Sequence, residues 1–493
     1  MKNNFKNIIY IYIAQFTRLL VGIGVLYFLT ENLSLENFGK FSVIKSTLSV
    51  LGILVSLGIE NVIVRFIPEF EKNKRQGYSY FLMVNALKIR ILSIGFIWII
   101  IFFYNEQIAT KFNLDSFEVL IIPLILLMIR LNSILGVSFL TALIKVYKEK
   151  KLQIVYDLSK LVGFYFIAKL DEIIYLIGFW FLLELGALCY LGLIFFNYFR
   201  KIKKETSTQI SFVDKSRIFK FAKYQTLAAL LFILIDLSSD NLMISYFLSN
   251  EKVAIYSFGL GLISYLSYFN PSFLMKNYYT SLLTNIYSGS VDKNIIDKIN
   301  FIFRISVVIM IPIYSVFAIN IEYIIDVVFD KKYNAAVDLI LLGLIFYVFK
   351  ELNFSFSPLI NLFEKNKLFL KAGILSIFNL IVNLILIPKI GIMGALIGTG
   401  LTWTLIFGFY LYSFMKFFKS YKFFPFKTVV SSLFLGLAFI LLINSIPGIK
   451  SNGILSLIFN FSWQLLLIVT LFYAFNLIRL DDIQRLYKFE SLK

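Results

Sequence analysis

Apolar runs of about twenty residues recur along the whole of this 493-residue chain, separated by short polar breaks. One helix crossing a bilayer needs about 20 such residues. Backbone inside hydrocarbon must satisfy its own hydrogen bonds, so a chain built this way folds as membrane-packed helices. The runs predict fourteen spans: 8–29, 38–58, 80–104, 117–143, 152–168, 173–197, 221–248, 253–273, 301–319, 335–361, 369–388, 391–415, 426–446 and 453–477. Composition agrees. The chain is 59% hydrophobic and 16% charged, with a mean hydropathy of +0.82. Soluble domains carry about 25% charged residues, so too few polar groups are present here to wet a globule. The first run, behind Lys2 and Lys6, resembles a signal peptide. It is too long for one and lacks a small-x-small cleavage site, so it reads as a retained span.

Several functions are excluded by what is missing. Cys189 is the single cysteine and histidine is absent, which rules out a disulfide within the chain and removes the usual metal ligands and the commonest general base. No Gly-rich loop precedes a Lys-Ser or Lys-Thr pair, so the chain is not by itself an ATP-driven pump. No metal and no cofactor are expected. Energy would come from a coupling ion (H⁺ or Na⁺) or from the membrane potential.

The formal net charge of +19 is strongly sided. Taking connections alternately, one side holds 31 Lys and Arg and the other seven: Lys111, Lys169, Lys252, Lys331, Lys332, Lys389 and Lys450. The positive-inside rule puts both termini in the cytoplasm of a cell (inner) membrane. Basic loops facing anionic lipid account for the charge without nucleic acid. The outer connections are short and offer no domain for a hydrolase or polymerase site.

Local motifs go further. The segment Leu33-Ser34-Leu35-Glu36-Asn37-Phe38-Gly39 leads to Leu57-Gly58-Ile59-Glu60-Asn61 and then to Arg65-Phe66-Ile67-Pro68-Glu69. Residues 236–256 open a similar theme in the second half. Asn379 and Asn383 are followed by Leu386-Ile387-Pro388-Lys389-Ile390-Gly391-Ile392-Met393-Gly394-Ala395. These stretches resemble the polysaccharide exporters (O-antigen flippases) of the multidrug/oligosaccharidyl-lipid/polysaccharide exporter superfamily, over roughly residues 5–415. The resemblance implies an all-α polytopic membrane protein with two six-helix lobes around a central cavity. The N-lobe would take 1–200, a cytoplasmic linker 201–220 and the C-lobe 221–415. Two further helices would fill 426–477, ahead of a cytoplasmic tail, 478–493. It also implies alternating access on a lipid-linked oligosaccharide, with a polysaccharide polymerase and a chain-length regulator as partners. Gly394 and Gly398 form a small-xxx-small face for close helix contact. Pro123, Pro271, Pro312 and Pro358 are expected to interrupt spans.

Charges inside the spans suggest the site. A cation at mid-bilayer costs at least about 2.5–3.5 kcal/mol, and must face a wet cavity, an acid or a bound anion. Lys40, Lys223 and Arg304 are near span ends and can snorkel. In the first lobe Arg18, Lys45, Lys88, Arg90, Arg130 and Lys160 stand against Glu184. The other acids noted in the spans are Asp236, Asp240 and Glu351, with Glu60 at an edge. The surplus points to a cationic cavity for an anion, with Arg18 and Arg130 as the principal pyrophosphate ligands, since Arg offers a planar fork. Asp236 and Asp240, four apart on one helix face, are candidates for ion coupling or a latch, with Glu184. The favoured substrate is undecaprenyl-pyrophosphate-linked oligosaccharide, an O-antigen or capsule unit. The alternatives are a peptidoglycan-precursor flippase, a cationic-drug antiporter, whose first lobe should carry acids instead, and a membrane polymerase.

Overall fold

The computed structural model describes residues 2–72, 75–112, 114–143, 146–200, 212–274, 293–363, 365–420, 422–445 and 453–478. Among them every regular element is helical: α1 Lys2–Asn32, α2 Leu35–Leu54, α3 Ile59–Lys72, α4 Gln76–Phe112, α5 Ser116–Asn132, α6 Phe139–Ala142, α7 Val146–Ile167, α8 Ile173–Arg200, α9 Phe212–Phe232, α10 Leu237–Phe247, α11 Asn250–Leu266, α12 Pro271–Leu274, α13 Lys293–Val328, α14 Val337–Leu362, α15 Asn366–Ile390, α16 Ile392–Phe418, α17 Phe426–Asn444 and α18 Ile454–Ala474. Each of the fourteen expected spans falls on one of these helices or on a broken pair. Ten helices are long and apolar enough to cross a bilayer, and eleven spans result if the bent pair α2–α3 counts as one. Length and composition thus establish a multi-pass membrane protein, with ten or eleven candidate spans among the described residues. The remaining expected spans lie on α7, on α11, which is only 17 residues long, and on α14. Charged side chains interrupt α7 (Lys150, Lys151, Asp157, Lys160) and α14 (Lys350, Glu351).

The chain forms two compact units, 1–257 and 258–493. The division falls inside α11 and not in the basic segment 201–220, of which 201–211 lies outside the described residues. Within the first unit α9 packs on α3, and α10 packs on α2. Phe221 of α9 packs edge-on against Phe66 of α3, and the Asn241 amide of α10 donates to Ser46 Oγ of α2 at 2.9 Å.

The first motif is explained by how α2 begins. Ser34 caps the helix, its hydroxyl accepting from Asn37 N at 3.1 Å, and Glu36 sits at the positive end of the helix dipole. Phe38 is buried. Gly39 is required by contact, because a Cβ there would collide with the Asn250 carbonyl. In the second unit the Gly-x-x-x-Gly face works the same way. A Cβ on Gly394 would press on the Leu386 carbonyl, and one on Gly398 would strike the Asn383 and Asn379 side chains. Thr399 Oγ1 donates to Asn379 Oδ1 at 3.2 Å.

Of the four prolines expected to interrupt spans, only Pro271 stands at a break. Pro123, Pro312 and Pro358 lie inside helices α5, α13 and α14, and Pro271 opens α12 after the turn at Ser267–Phe269. One lost backbone donor does not outweigh the surrounding ladder when the neighbours hold the helix. The sharp bend of 51° comes instead between α2 and α3, where Leu57 and Gly58 take left-handed conformations (φ 47° and 66°). A second break separates α9 from α10. A 3₁₀ turn at Ile233–Ile235 ends in extended backbone at Asp236, whose side chain accepts from Ser238 N at 2.9 Å and caps α10.

Candidate functional site: a charged face within the first unit

Lys45 and Gly52 are seven residues apart on α2, two turns along one face and about 10 Å in rise. Lys45 is exposed, with Asp236 in electrostatic reach. At Gly52 the face receives Arg130 from α5. The guanidinium occupies the space that a side chain at 52 would fill. Arg130 Nε is buried without a hydrogen-bond partner, and the guanidinium interacts electrostatically with Glu60 and Arg90. Glycine at 52 therefore serves to seat an arginine against the α2 backbone.

Arg18 on α1 lies 3.6 Å from Asp157 on α7, with its own side chain 45% exposed and that of Asp157 9% exposed. Lys160, one turn further along α7, interacts electrostatically with Lys45, Asp157, Arg18 and Glu184. Its ammonium lies over Phe164 at 5.5 Å and Trp180 at 6.0 Å. Four of the expected residues, Arg18, Lys45, Lys160 and Glu184, are thus brought into one region from α1, α2, α7 and α8.

Glu184 is buried and fully engaged. Its Oε1 accepts from Tyr156 OH at 2.7 Å and from Trp180 Nε1 at 3.2 Å, and its Oε2 accepts from Asn132 Nδ2 at 2.7 Å.

The other expected residues are placed differently. Arg90 is wholly buried. It donates to Glu60 Oε1 at 2.7 Å, to the Ser56 carbonyl at 3.3 Å and to the Val55 carbonyl. That fork satisfies carbonyls left open where α2 ends, and fixes the bend into α3. Lys88 is exposed on α4. Asp236 and Asp240 have separate tasks. The first caps α10, while the second is buried and accepts from Tyr256 OH at 2.7 Å.

Asp157 revises the charge balance drawn from the sequence. It lies within the expected span 152–168, three residues before Lys160, and it pairs with Arg18. With Glu60 on Arg90, two of the six deep cations have an acid partner. The signal was present as an acid–base pair at helical spacing inside an apolar run. Tyr156 and Trp180 carried no signal, since aromatics are common throughout the chain.

The second unit holds a polar centre of its own. Buried Glu351 accepts from Ser267 Oγ and from Asn270 Nδ2 at 2.5 Å. Ser272 links to Ser306 at 2.5 Å and to Ser355 at 2.7 Å. A largely apolar cavity of about 890 Å³ lies among α13, α14, α17 and α18, with Asn320, Asn444, Asn460 and Gln464 as its polar edge.

Known proteins share this architecture. A structure of the lipid II flippase MurJ in an inward closed conformation matches at a TM-score of 0.69, with 15% identity over 96% of this chain and 100% of that one. An inward-facing multidrug resistance transporter of the MATE family of the MOP superfamily matches at 0.55, with 12% identity over 88% and 96%. At these identities the likeness is one of fold. An uncharacterised membrane protein of Methanocaldococcus jannaschii is 27% identical over 176 residues, covering 35% of this chain and 33% of its own length. The model of a polysaccharide biosynthesis protein family matches residues 5–276, more than half of the chain and all of the charged face just described. The chain belongs to that polysaccharide biosynthesis protein family and is a multi-pass membrane protein with the fold of the multidrug/oligosaccharidyl-lipid/polysaccharide exporter superfamily.

Proposed function

We propose that the protein is a flippase that moves undecaprenyl-pyrophosphate-linked oligosaccharide, an O-antigen or capsule repeat unit, from the cytoplasmic to the outer leaflet by alternating access. The observation that carries this reading is the α2 face, where Lys45 is exposed and Arg130 is seated on Gly52 two turns away, beside Arg18 and Lys160. A diphosphate needs fixed cations in a water-accessible place, and an unpartnered guanidinium Nε is a donor available to it. Arg130 and Arg18 are the pyrophosphate ligands, with Arg18 exchanging its long contact to Asp157 for phosphate oxygen. Lys45, Lys88 and Lys160 make the surrounding potential positive, and Arg90 contributes through the bend that it fixes. The apolar cavity at α17 and α18 is suited by its lining to part of the polyprenyl chain. Asp236, Asp240 and Glu184 are the candidates for a coupling ion or a latch. Export moves negative charge down the membrane potential, worth about 2.3 kcal/mol per charge per 100 mV, so ATP is not required. The family supports a setting in polysaccharide synthesis; the bacterial inner membrane, a polymerase and a chain-length regulator complete the proposed setting.

The test is surface polysaccharide in cells carrying Arg18→Ala or Arg130→Ala at normal protein levels. Each should abolish it or lower it sharply, with only partial rescue by Lys, which keeps the charge but loses the fork. Wild-type polysaccharide from both alanine variants would overturn the reading. The fold likeness to a lipid II flippase favours a second reading, the peptidoglycan precursor, which uses the same charge logic. Rescue of cells depleted of their own lipid II flippase would select it.

A further inference from the structure

Three helices meet at Glu184 in a way that the pyrophosphate reading leaves unexplained. Asn132 ends α5, Tyr156 is on α7 and Trp180 is one turn before Glu184 on α8. All three donate to its carboxylate at 2.7–3.2 Å. None is sealed off, since Asn132, Tyr156 and Trp180 are all only half-buried. Asn132 Oδ1, by contrast, is buried and accepts from nothing. A buried acceptor without a donor is costly, and it marks a place where a ligand hydroxyl can enter. The chain widens into a π-helical turn at Ser133–Ser138 directly after Asn132, an irregularity found frequently at functional sites. Phe41 and Trp180 lie 6.0 Å apart, and Lys160 sits over the indole.

An aromatic ring beside amide, hydroxyl and carboxylate groups is the chemistry that holds a pyranose. The ring covers the C–H face, and the polar groups exchange hydrogen bonds with the hydroxyls. Local charge selects further. The charge hydrogen-bonded to Asn132, Tyr156 and Trp180 is the Glu184 carboxylate, which repels the carboxylate of an acidic sugar at this spot, although Arg18, Lys45 and Lys160 outnumber Asp157 and Glu184 in the wider region. Building on the flippase reading, we infer that Asn132, Tyr156 and Trp180, held by Glu184 as a positioning residue, form a subsite for an uncharged sugar of the lipid-linked glycan, next to the diphosphate cations.

The test uses purified full-length protein in nanodiscs, with binding followed by intrinsic tryptophan fluorescence or by thermophoresis. The probes are undecaprenyl pyrophosphate without sugar, the same lipid carrying a neutral oligosaccharide, and the same lipid carrying a uronic acid. Wild type should bind the neutral glycolipid about tenfold more tightly than the bare lipid, the gain of one or two net hydrogen bonds. The uronic acid lipid should bind no more tightly than the neutral one. Tyr156→Phe, which keeps the ring and removes the hydroxyl, and Trp180→Phe, which keeps an aromatic ring and removes the indole N–H, should each erase most of that tenfold gain and leave bare-lipid affinity unchanged. Equal affinity of wild type for bare and neutral lipids would overturn the subsite while leaving the flippase reading intact. Equal loss for both lipids in the variants would make the cluster a structural brace and also overturn it. Preference for the uronic acid would overturn its neutrality. Failure of wild type to bind any of the three would overturn the flippase reading itself, and the subsite with it.

Discussion

Arg90 and Arg130 are both arginines in apolar helices, and their surroundings give them opposite roles. Arg90 has its charge answered by Glu60 and its terminal donors also answered by two carbonyls at the α2–α3 bend, while its Nε is buried without an acceptor. Removing one partner of such a buried pair costs about 3–5 kcal/mol, because the other charge is left stranded. Arg90→Ala is therefore expected to lower the melting temperature of the purified protein and its level in the membrane, and Arg90→Lys should recover little, since an ammonium cannot reach three acceptors from one rigid plane. Arg18→Ala, which removes a 3.6 Å contact on a side chain 45% exposed, should leave the melting temperature nearly unchanged while transport falls. A melting temperature for Arg90→Ala equal to that of wild type would show that the bend holds without it. The sequence made the cost of these cations visible, because a charge among twenty apolar residues stands out. It did not show who answers the charge. Glu60 is 30 residues from Arg90 across a broken span, and Asp157 is 139 residues from Arg18, so pairing is decided by helix packing that spacing alone does not reveal.

At the scale of elements the same division recurs. Helices were legible because hydropathy has a length scale set by the bilayer, and the Ser34 cap was legible as a motif before its geometry was known. The breaks were not. Proline suggested four of them, yet three prolines sit within continuous helices and only Pro271 stands at a break, while the interruptions at Leu57-Gly58 and Asp236 come without proline. Gly58 adopts φ 66°, and a Cβ there would lie 3.0 Å from the Ala222 carbonyl of α9. Gly58→Ala should then cost about 1–2 kcal/mol from the left-handed backbone alone, read as a lowered melting temperature. An unshifted melt would mean that the bend can relax. The start of α11 gives a second test. Asn250 Nδ2 donates to the Phe112 carbonyl at the end of α4 at 3.1 Å, while its own carbonyl abuts Gly39. If transport requires the α10–α11 turn to part from α4 and α2, a disulfide between Phe112→Cys and Asn250→Cys, in a background with Cys189→Ser, should stop transport until reductant is added. Full transport by the cross-linked protein would show that this contact stays closed throughout the cycle.

For the whole molecule, the arrangement across the membrane rests on charge and not on contacts. The basic run at 201–220 is expected to link two lobes, and 201–211 of it lies outside the described residues. The compact units part at 257 and 258, after α9 and α10 have packed with the first six expected spans. A run of lysines is a statement about solvent and lipid headgroups, whereas packing depends on which apolar faces match, and hydropathy is blind to that. Sidedness is a different matter, because it follows from where Lys and Arg accumulate. With 31 on one side and seven on the other, and the bias repeated in each successive pair of connections, reporter fusions after residues 106, 250 and 450 should be active in the periplasm, and those after 205 and 420 in the cytoplasm. Length and composition single out ten or eleven candidate spans among the described residues, and the fusions test the parity of the spans between one reporter and the next. Each of the expected spans on α7, α11 and α14 that failed to cross would reverse every reporter beyond it until the next such failure. A cytoplasmic signal at 450 with the others as expected would remove only the last hairpin, α17 and α18. A periplasmic signal at 205 would place the loop after α8 outside and leave the seven lysines and arginines of residues 200–220 against the positive-inside rule, the outcome that the charge argument forbids.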